Sequence, residues 1–483
     1  MFLGIDVGTS SLKAVLSDVH GHIVATESVS YKISLPHDGW TQQDPDDWYR
    51  AEIKAIRQLG KHHDLTKIIG VSFCGQMHGL VLLDKNDRVI RPAILWNDNR
   101  TVEECHYLNQ VIGKTKLINY TGNIAFTGFT APKILWVKKH EPQLFKRINK
   151  IMLPKDYTAY KMTGVFASDF SDSSGTLYLD VANKCWSQSM LKILKINQNQ
   201  LPKLYESYQV IGNVSPTFAK LTGMSTNTQV IIGGGDQAVG AIGTGTVANN
   251  QLSISLGTSG VVFASSQTFK KVASGAMHSF CHANGQYHIM GVMLSAAGAF
   301  DWWTQSILKV NDLQLINKAI AQSKDENLLF LPYLCGERSP INNPNARGVF
   351  HKLSLAHNQA DLSKAIIEGV NFGLLDCLNS IRDLSINPKK ARVIGGGAKS
   401  DVWLQMLADT LNVDVSTINT AEGGALGAII LALVGCHKYP DVATACKHII
   451  KDKKTFKPNF QKNKYYLQKF KIWKQLYNDL YSK

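Results

Sequence analysis

Apolar residues open the chain in three short runs, residues 2–7, 12–16 and 23–27, separated by Gly8-Thr9-Ser10-Ser11 and by Asp18-Val19-His20-Gly21. Short runs punctuated by glycine and small polar residues predict an antiparallel meander of strands. Asp44-Pro45-Asp46-Asp47 then marks a helix start, with an aspartate to take free N–H groups and a proline suited to the first turn. Further strands are predicted at 68–73 and 81–83, and helices at 132–140 and 155–162. The pattern then recurs in kind. Ile231-Ile232 leads into Gly233-Gly234-Gly235-Asp236, and two apolar runs, 252–256 and 261–264, flank Gly257-Thr258-Ser259-Gly260. Helical periodicity follows over 297–308, 359–380 and 401–411, and a strand at 391–394 ends in Gly395-Gly396-Gly397. A strand–glycine turn–strand hairpin heading each α/β block predicts two domains, 1–246 and 247–483, hinged closely about a shared cleft. The sequence shows no low-complexity linker between them and no short-period repeat.

Composition narrows this picture. With 483 residues, 44% of them hydrophobic and 18% charged, the chain has material for large cores and does not resemble a disordered one. The longest apolar stretch, 425–434, is too short to span a bilayer and predicts a buried helix. Met1 runs directly into the first strand, without the charged and apolar segments of a secretory leader. Eight scattered cysteines form no CxxC pair and no zinc-ligand spacing, which predicts reduced thiols in a cytoplasmic protein, most of them in the core. The net charge of +15 is concentrated: residues 447–483 hold eleven lysines and two aspartates, or +9. In that tail Tyr466, Phe470, Trp473, Tyr477 and Leu480 recur at helical spacing, so a helix over 462–481 is expected to dock by this face with its lysines in water. That accounts for the charge without a nucleic-acid or membrane partner.

The chemistry sits at the turns. Asp6-Val7-Gly8-Thr9-Ser10 places a carboxylate and two hydroxyls where a strand meets a tight turn, a setting suited to hydrated Mg²⁺ beside phosphate oxygens. The same motif also makes an ordinary hairpin, but Gly257-Thr258-Ser259-Gly260 repeats the device. Gly395-Gly396-Gly397-Ala398 lets the backbone approach a flat or anionic ligand, without the spacing of a P-loop or a dinucleotide fingerprint. Asp236, at a strand end where a helix starts, reads either as a helix N-cap or as a general base. With Asp6 and two phosphate hairpins in the same chain, the base is the better reading. Met77-His78 and Trp96 are candidate sugar contacts, although a lone histidine or tryptophan is as readily structural.

Together these strings resemble the FGGY carbohydrate kinases nearly from end to end. Gly4-Ile5-Asp6-Val7-Gly8-Thr9-Ser10, Gly75-Gln76-Met77-His78-Gly79 and Arg91 through Asp98 are followed by Gly128 through Trp136, which is similar to the family's first signature. Leu153-Pro154-Lys155-Asp156-Tyr157, Leu256-Gly257-Thr258-Ser259-Gly260 and Gly336-Glu337-Arg338-Ser339-Pro340 come next, and Gly348 to Gly369 is similar to the second signature. The resemblance implies an α/β fold of two actin-like (ribonuclease H-type) ATPase domains flanking a central cleft. The sugar would bind mainly on the first and ATP mainly on the second; a homodimer is compatible with it.

Carried over by position, Asp236 would accept the proton, and Met77, His78, Trp96, Asp236 and Gln237 would hold the sugar. Asp6 and Asp236 would surround Mg²⁺. Thr9, Ser10, Lys13, Gly257 and Thr258 would serve the phosphates of ATP, with Gly396, Gly397 and Ala398 bordering the adenosine. Met77-His78 is the pair shown by members that phosphorylate D-xylulose, whereas members acting on glycerol place Arg-Glu there. Gln237 departs from the asparagine expected after the catalytic aspartate, keeping the same amide one methylene farther out. The alternatives are a kinase for another ketose or polyol and a nucleotide-gated sugar-binding protein on the same scaffold. ATP hydrolysis indifferent to sugar would mark the latter.

Overall fold

The computed structural model describes residues 1–310, 312–323, 327–420 and 423–481. Each of the two predicted hairpins seeds a seven-stranded sheet. In the first sheet Phe2–Val7 pairs antiparallel with Ser11–Ser17, which pairs with Ile23–Ser30. On its other edge Phe2–Val7 runs parallel to Gly70–Gly75, and Gln229–Ile231 and Val210–Asn213 continue the order. In the second sheet Leu252–Leu256 pairs antiparallel with Gly260–Ser266, which leads through Tyr287–Met293 to His278–Cys281. Its other edge runs parallel to Lys390–Ile394, followed by Asp414–Ile418 and Asp452–Phe456. Tight turns deliver the antiparallel neighbours. The parallel ones require crossovers, supplied by helices such as Pro45–Leu59 and Gln359–Arg382. This is the doubled α/β architecture that the resemblance implies.

Strand Phe2–Val7 is apolar almost throughout because both of its faces are covered. Leu3, Ile5 and Val7 join a core with Trp48 and Phe73, whereas Phe2 joins a second core built around helix Gly423–Gly435. Period-two alternation therefore sends Gly4 and Asp6 toward that helix. A Cβ on Gly4 would lie 2.5 Å from the Ala425 carbonyl oxygen, so only glycine permits the approach. The apolar segment near 425–434 is indeed a buried helix, but it lies across the first sheet although it comes from the second half of the chain. It crosses helix Asp236–Gly243 at backbone distance: a Cβ on Gly427 would be 1.9 Å from the Val239 carbonyl oxygen, and one on Gly243 1.8 Å from that of Gly423.

Two expectations need correction. Residues 297–308 do not form one α-helix: Ala297–Asp301 is α-helical and Trp302–Ile307 widens into a π-helix. There the Thr304 hydroxyl donates back to the Phe300 carbonyl, and the Trp303 indole N–H reaches the Ser363 hydroxyl at 2.8 Å. The terminal helix, Phe460–Tyr481, does dock, burying Tyr466, Trp473 and Leu476, but Leu480 is exposed. Nor are all its lysines in water. Lys469 is buried against Glu368 at 2.6 Å, and Lys474 pairs with the carboxylate of Asp376. Both acids lie on the buried helix Gln359–Arg382, and a lysine is the complement that neutralises each of them. Six of the eight free cysteines are buried, with Cys185 and Cys335 exposed. Among the described residues, no helix is long and apolar enough to cross a membrane.

Candidate active site

Three concave regions adjoin between and beside the two sheets. An inner cavity of about 200 Å³ is lined by Asp6, Cys74, Asp236, Gln237, Ser253 and Ser255 among others. A second, of about 130 Å³, holds Met77, His78, Trp96, Phe129, His278 and Arg338, and it shares Asp236 and Gln237 with the first. An outer groove of about 690 Å³ is bordered by Gly395, Gly396, Ala398 and Lys454, and it shares Ile394 with the inner cavity. The Asp236–Gln237 pair, together with Val261, is thus the wall common to the two inner spaces.

Asp236 begins helix Asp236–Gly243, with Gly235 as the N-cap, so the aspartate is the first helical residue and not the cap. Burial pushes its carboxyl up to about 7, the negative charge of Asp6 adds to this, and hydrogen bonds from Gln237 oppose it. Asp6 stands opposite Lys13 on one neighbouring strand and Cys74 on the other. Two carboxylates facing one cavity fit a hard cation that keeps water and phosphate oxygens as its remaining ligands.

His78 has a left-handed backbone, φ 69°. Its carbonyl is held by the Lys133 ammonium at 2.8 Å and the Thr130 hydroxyl at 3.2 Å, which fixes a conformation costly for a residue with a Cβ. Burial holds the imidazole neutral, well below the usual histidine range, with the nearby positive charge of Lys133 acting in the same direction. The ring stacks on Phe129 at 4.7 Å, and Nδ1 lies 2.7 Å from the Gly175 carbonyl oxygen. A carbonyl only accepts, so Nδ1 carries the proton and Nε2 is left as an acceptor.

The first hairpin is clamped by its carbonyls. Val7 accepts from the Gln76 N–H, Gly8 from the Gln76 side chain and the Tyr31 hydroxyl, Thr9 from Gln43 and Ser10 from the Tyr31 N–H. The Trp96 indole N–H donates to the Thr9 hydroxyl at 2.9 Å, joining a wall of the second cavity to this turn. In the second hairpin the carbonyls of Gly257 and Thr258 accept the N–H groups of Ala297 and Ala296 at 2.8 and 2.9 Å. Behind Asp236, Lys155 is fully buried, 2.6 Å from Asp156 and 2.9 Å from Asp169. Asp169 accepts from the hydroxyls of Ser171 and Ser207, and Ser171 in turn accepts the Gly235 N–H at 3.2 Å. The residue preceding Asp236 is therefore anchored in a buried ionic cluster.

Asp6, Met77, His78, Trp96, Asp236, Gln237, Gly396 and Ala398 all line these three regions. Thr9, Ser10, Lys13, Gly257 and Thr258 are outside their linings, at or beside the two hairpin turns. Gly397 is turned inward, where a Cβ would be 2.9 Å from that of Leu256. Sequence reasoning missed Ser253 and Ser255 in the inner cavity and Phe126, His278 and Arg338 in the second. Arg338 stands in one of the distinctive strings, Gly336 to Pro340, whereas His278 carries no local signal.

Residues 1–243 match the FGGY family of carbohydrate kinases, N-terminal domain, and residues 252–436 match its C-terminal domain. A xylulose kinase from Escherichia coli (strain K12) is 45% identical over 442 residues, covering 90% of each chain. The crystal structure of a xyloylose kinase from Brucella ovis superposes with a TM-score of 0.94 at 36% identity, covering 99% of both chains. That of a ligand-bound xylulose kinase from Lactobacillus acidophilus does so with a TM-score of 0.95 at 28% identity, covering 99% of this chain and 98% of the other. Matched along both halves of its length and in its fold, the chain belongs to the FGGY family of carbohydrate kinases.

Proposed function

We propose that this protein transfers the γ-phosphate of ATP to D-xylulose, giving D-xylulose 5-phosphate, with Asp236 as the proton acceptor. The observation that carries the reading is the position of Asp236: one carboxylate walls both the cavity containing Met77, His78 and Trp96 and the cavity containing Asp6. A base must reach the attacking hydroxyl while the γ-phosphoryl group lies in line beyond it. The acceptor's hydroxyls donate to His78 Nε2 and to Asp236, while the Gln237 amide can both donate and accept. Asp236 takes the proton of the terminal hydroxyl as its oxygen bonds to phosphorus and the bond from phosphorus to the ADP oxygen breaks.

Thr9, Ser10 and Lys13 at the first hairpin and Gly257 and Thr258 at the second serve the phosphates. Gly396 and Ala398 border the nucleoside, with Gly397 packed behind them against Leu256. Asp6 and Asp236 would hold Mg²⁺, which when bound neutralises charge on the phosphate oxygens. Closure of the two halves would exclude water as a competing acceptor. Cysteines that are all free suit a reducing compartment, which supports a cytoplasmic location.

The test is ADP release with Mg²⁺ and a panel of D-xylulose, L-xylulose, D-ribulose, L-ribulose, glycerol, xylitol and no sugar. Strong stimulation by D-xylulose is expected. Stimulation by glycerol alone would overturn the substrate, and turnover equal with and without sugar would overturn the kinase.

A further inference from the structure

The acceptor cavity has a second wall, and its chemistry is unlike that of the first. Val292, Met290, His278 and Arg338 enter it from the second half of the chain. Arg338 is held there by its backbone. Its N–H donates to the Glu337 carboxyl at 2.8 Å, which also takes the Leu294 N–H at 2.8 Å, and the next residue's N–H, that of Ser339, binds the Val292 carbonyl at 2.9 Å. The guanidinium lies over the Phe126 ring, 5.8 Å from its centre. Among the described residues that side chain makes no hydrogen bond and no salt bridge. Its charge is felt by the imidazoles of His78 and His278, whereas the charge felt by Asp236 is that of Asp6. The cavity is therefore polarised, with a carboxylate toward the phosphate side and a guanidinium by the two histidines.

The first wall offers acceptors to hydroxyl protons through His78 Nε2, Asp236 and the Gln237 oxygen. Arg338 offers donors only. A ketone oxygen only accepts, so it matches such a group without bringing a proton of its own. An alcohol at the same carbon brings a proton that needs its own acceptor, and a guanidinium supplies none. A site built to pair with one polar group rejects the analogue that leaves a partner unmatched.

We propose that Arg338 is a specificity-determining residue: it donates to the carbonyl oxygen of the open-chain ketose and so selects the ketose over the corresponding polyol. This rests on the reading of the protein as a D-xylulose kinase and adds the contact by which its second half reads the sugar. The experiment compares wild type, Arg338→Met and Arg338→Lys on D-xylulose and on its two C2 alcohols, xylitol and D-arabinitol, measuring kcat and KM separately. Arg338→Met is expected to raise KM for D-xylulose roughly 10- to 100-fold and KM for the alcohols less than about threefold, collapsing the preference. Arg338→Lys keeps the charge but loses the fork, so it should shift the same ratio by less. Melting curves accompany each variant, and if Arg338→Met lacks the wild-type transition the lysine variant decides. An equal loss on ketose and alcohols, or a D-xylulose KM within twofold of wild type, overturns the assignment alone. A wild type that phosphorylates no ketose overturns the kinase reading, and this assignment with it.

Discussion

Asp236→Asn should make the protein inactive and more stable at once. Burial and the charge of Asp6 hold this carboxyl at about 7 instead of its ordinary 3.8. The native state therefore keeps a proton that the unfolded chain has released, and stability falls as pH rises through the window between those values. Summed over that window, ionisation costs the fold about 2 kcal/mol at pH 5 and about 4 kcal/mol at pH 8. Asparagine has nearly the same shape and never ionises. The variant should thus melt above wild type, with a gap that widens from pH 5 to pH 8. The assay is thermal melting of both proteins at the two pH values, in EDTA and without nucleotide, so that no cation offsets the repulsion. In parallel, kcat with sugar and Mg-ATP should fall by about three orders of magnitude, the usual scale for loss of a general base. A gap that is the same at both pH values would refute the electrostatic argument. An asparagine variant within tenfold of wild-type kcat would refute the role of Asp236 as the base.

Other perturbations test the scaffold around it. Lys469→Met strips the counterion from buried Glu368 and should cost about 3 kcal/mol, with most of it restored when Glu368→Leu is added; chemical denaturation of the single and double variants measures this. Gly427→Ala would bring a methyl within 1.9 Å of the Val239 carbonyl oxygen, so the two central helices must separate and the melting temperature should drop by several degrees. Trp96→Phe retains the ring but removes the donor to the Thr9 hydroxyl, and kcat/KM should fall roughly fivefold, in line with the loss of one hydrogen bond.

Much of this protein is legible in one dimension. The two hairpins, the helix opening at Asp44 and the buried segment near 425 follow from local rules of alternation, turn chemistry and hydrophobicity, which need only neighbours in sequence. Asp6 and Asp236 are legible as chemistry only together with the two glycine hairpins, because alone each motif serves equally well as a turn or a helix cap. The rest depended on contacts between distant segments. Nothing local says that helix Gly423–Gly435 lies across the first sheet, since apolar residues on every face announce burial but not the surface that covers them. The tail lysines read as solvated by composition. Only the packing of Phe460–Tyr481 on Gln359–Arg382 set Lys469 and Lys474 against Glu368 and Asp376. His278 and Arg338 join the cavity of Met77 and His78 because segments of both halves line it, bringing together side chains some two hundred residues apart. Sequence determined which residues were capable of the chemistry. Tertiary structure decided which of them share a wall, because burial and electric fields act through space and not along the chain.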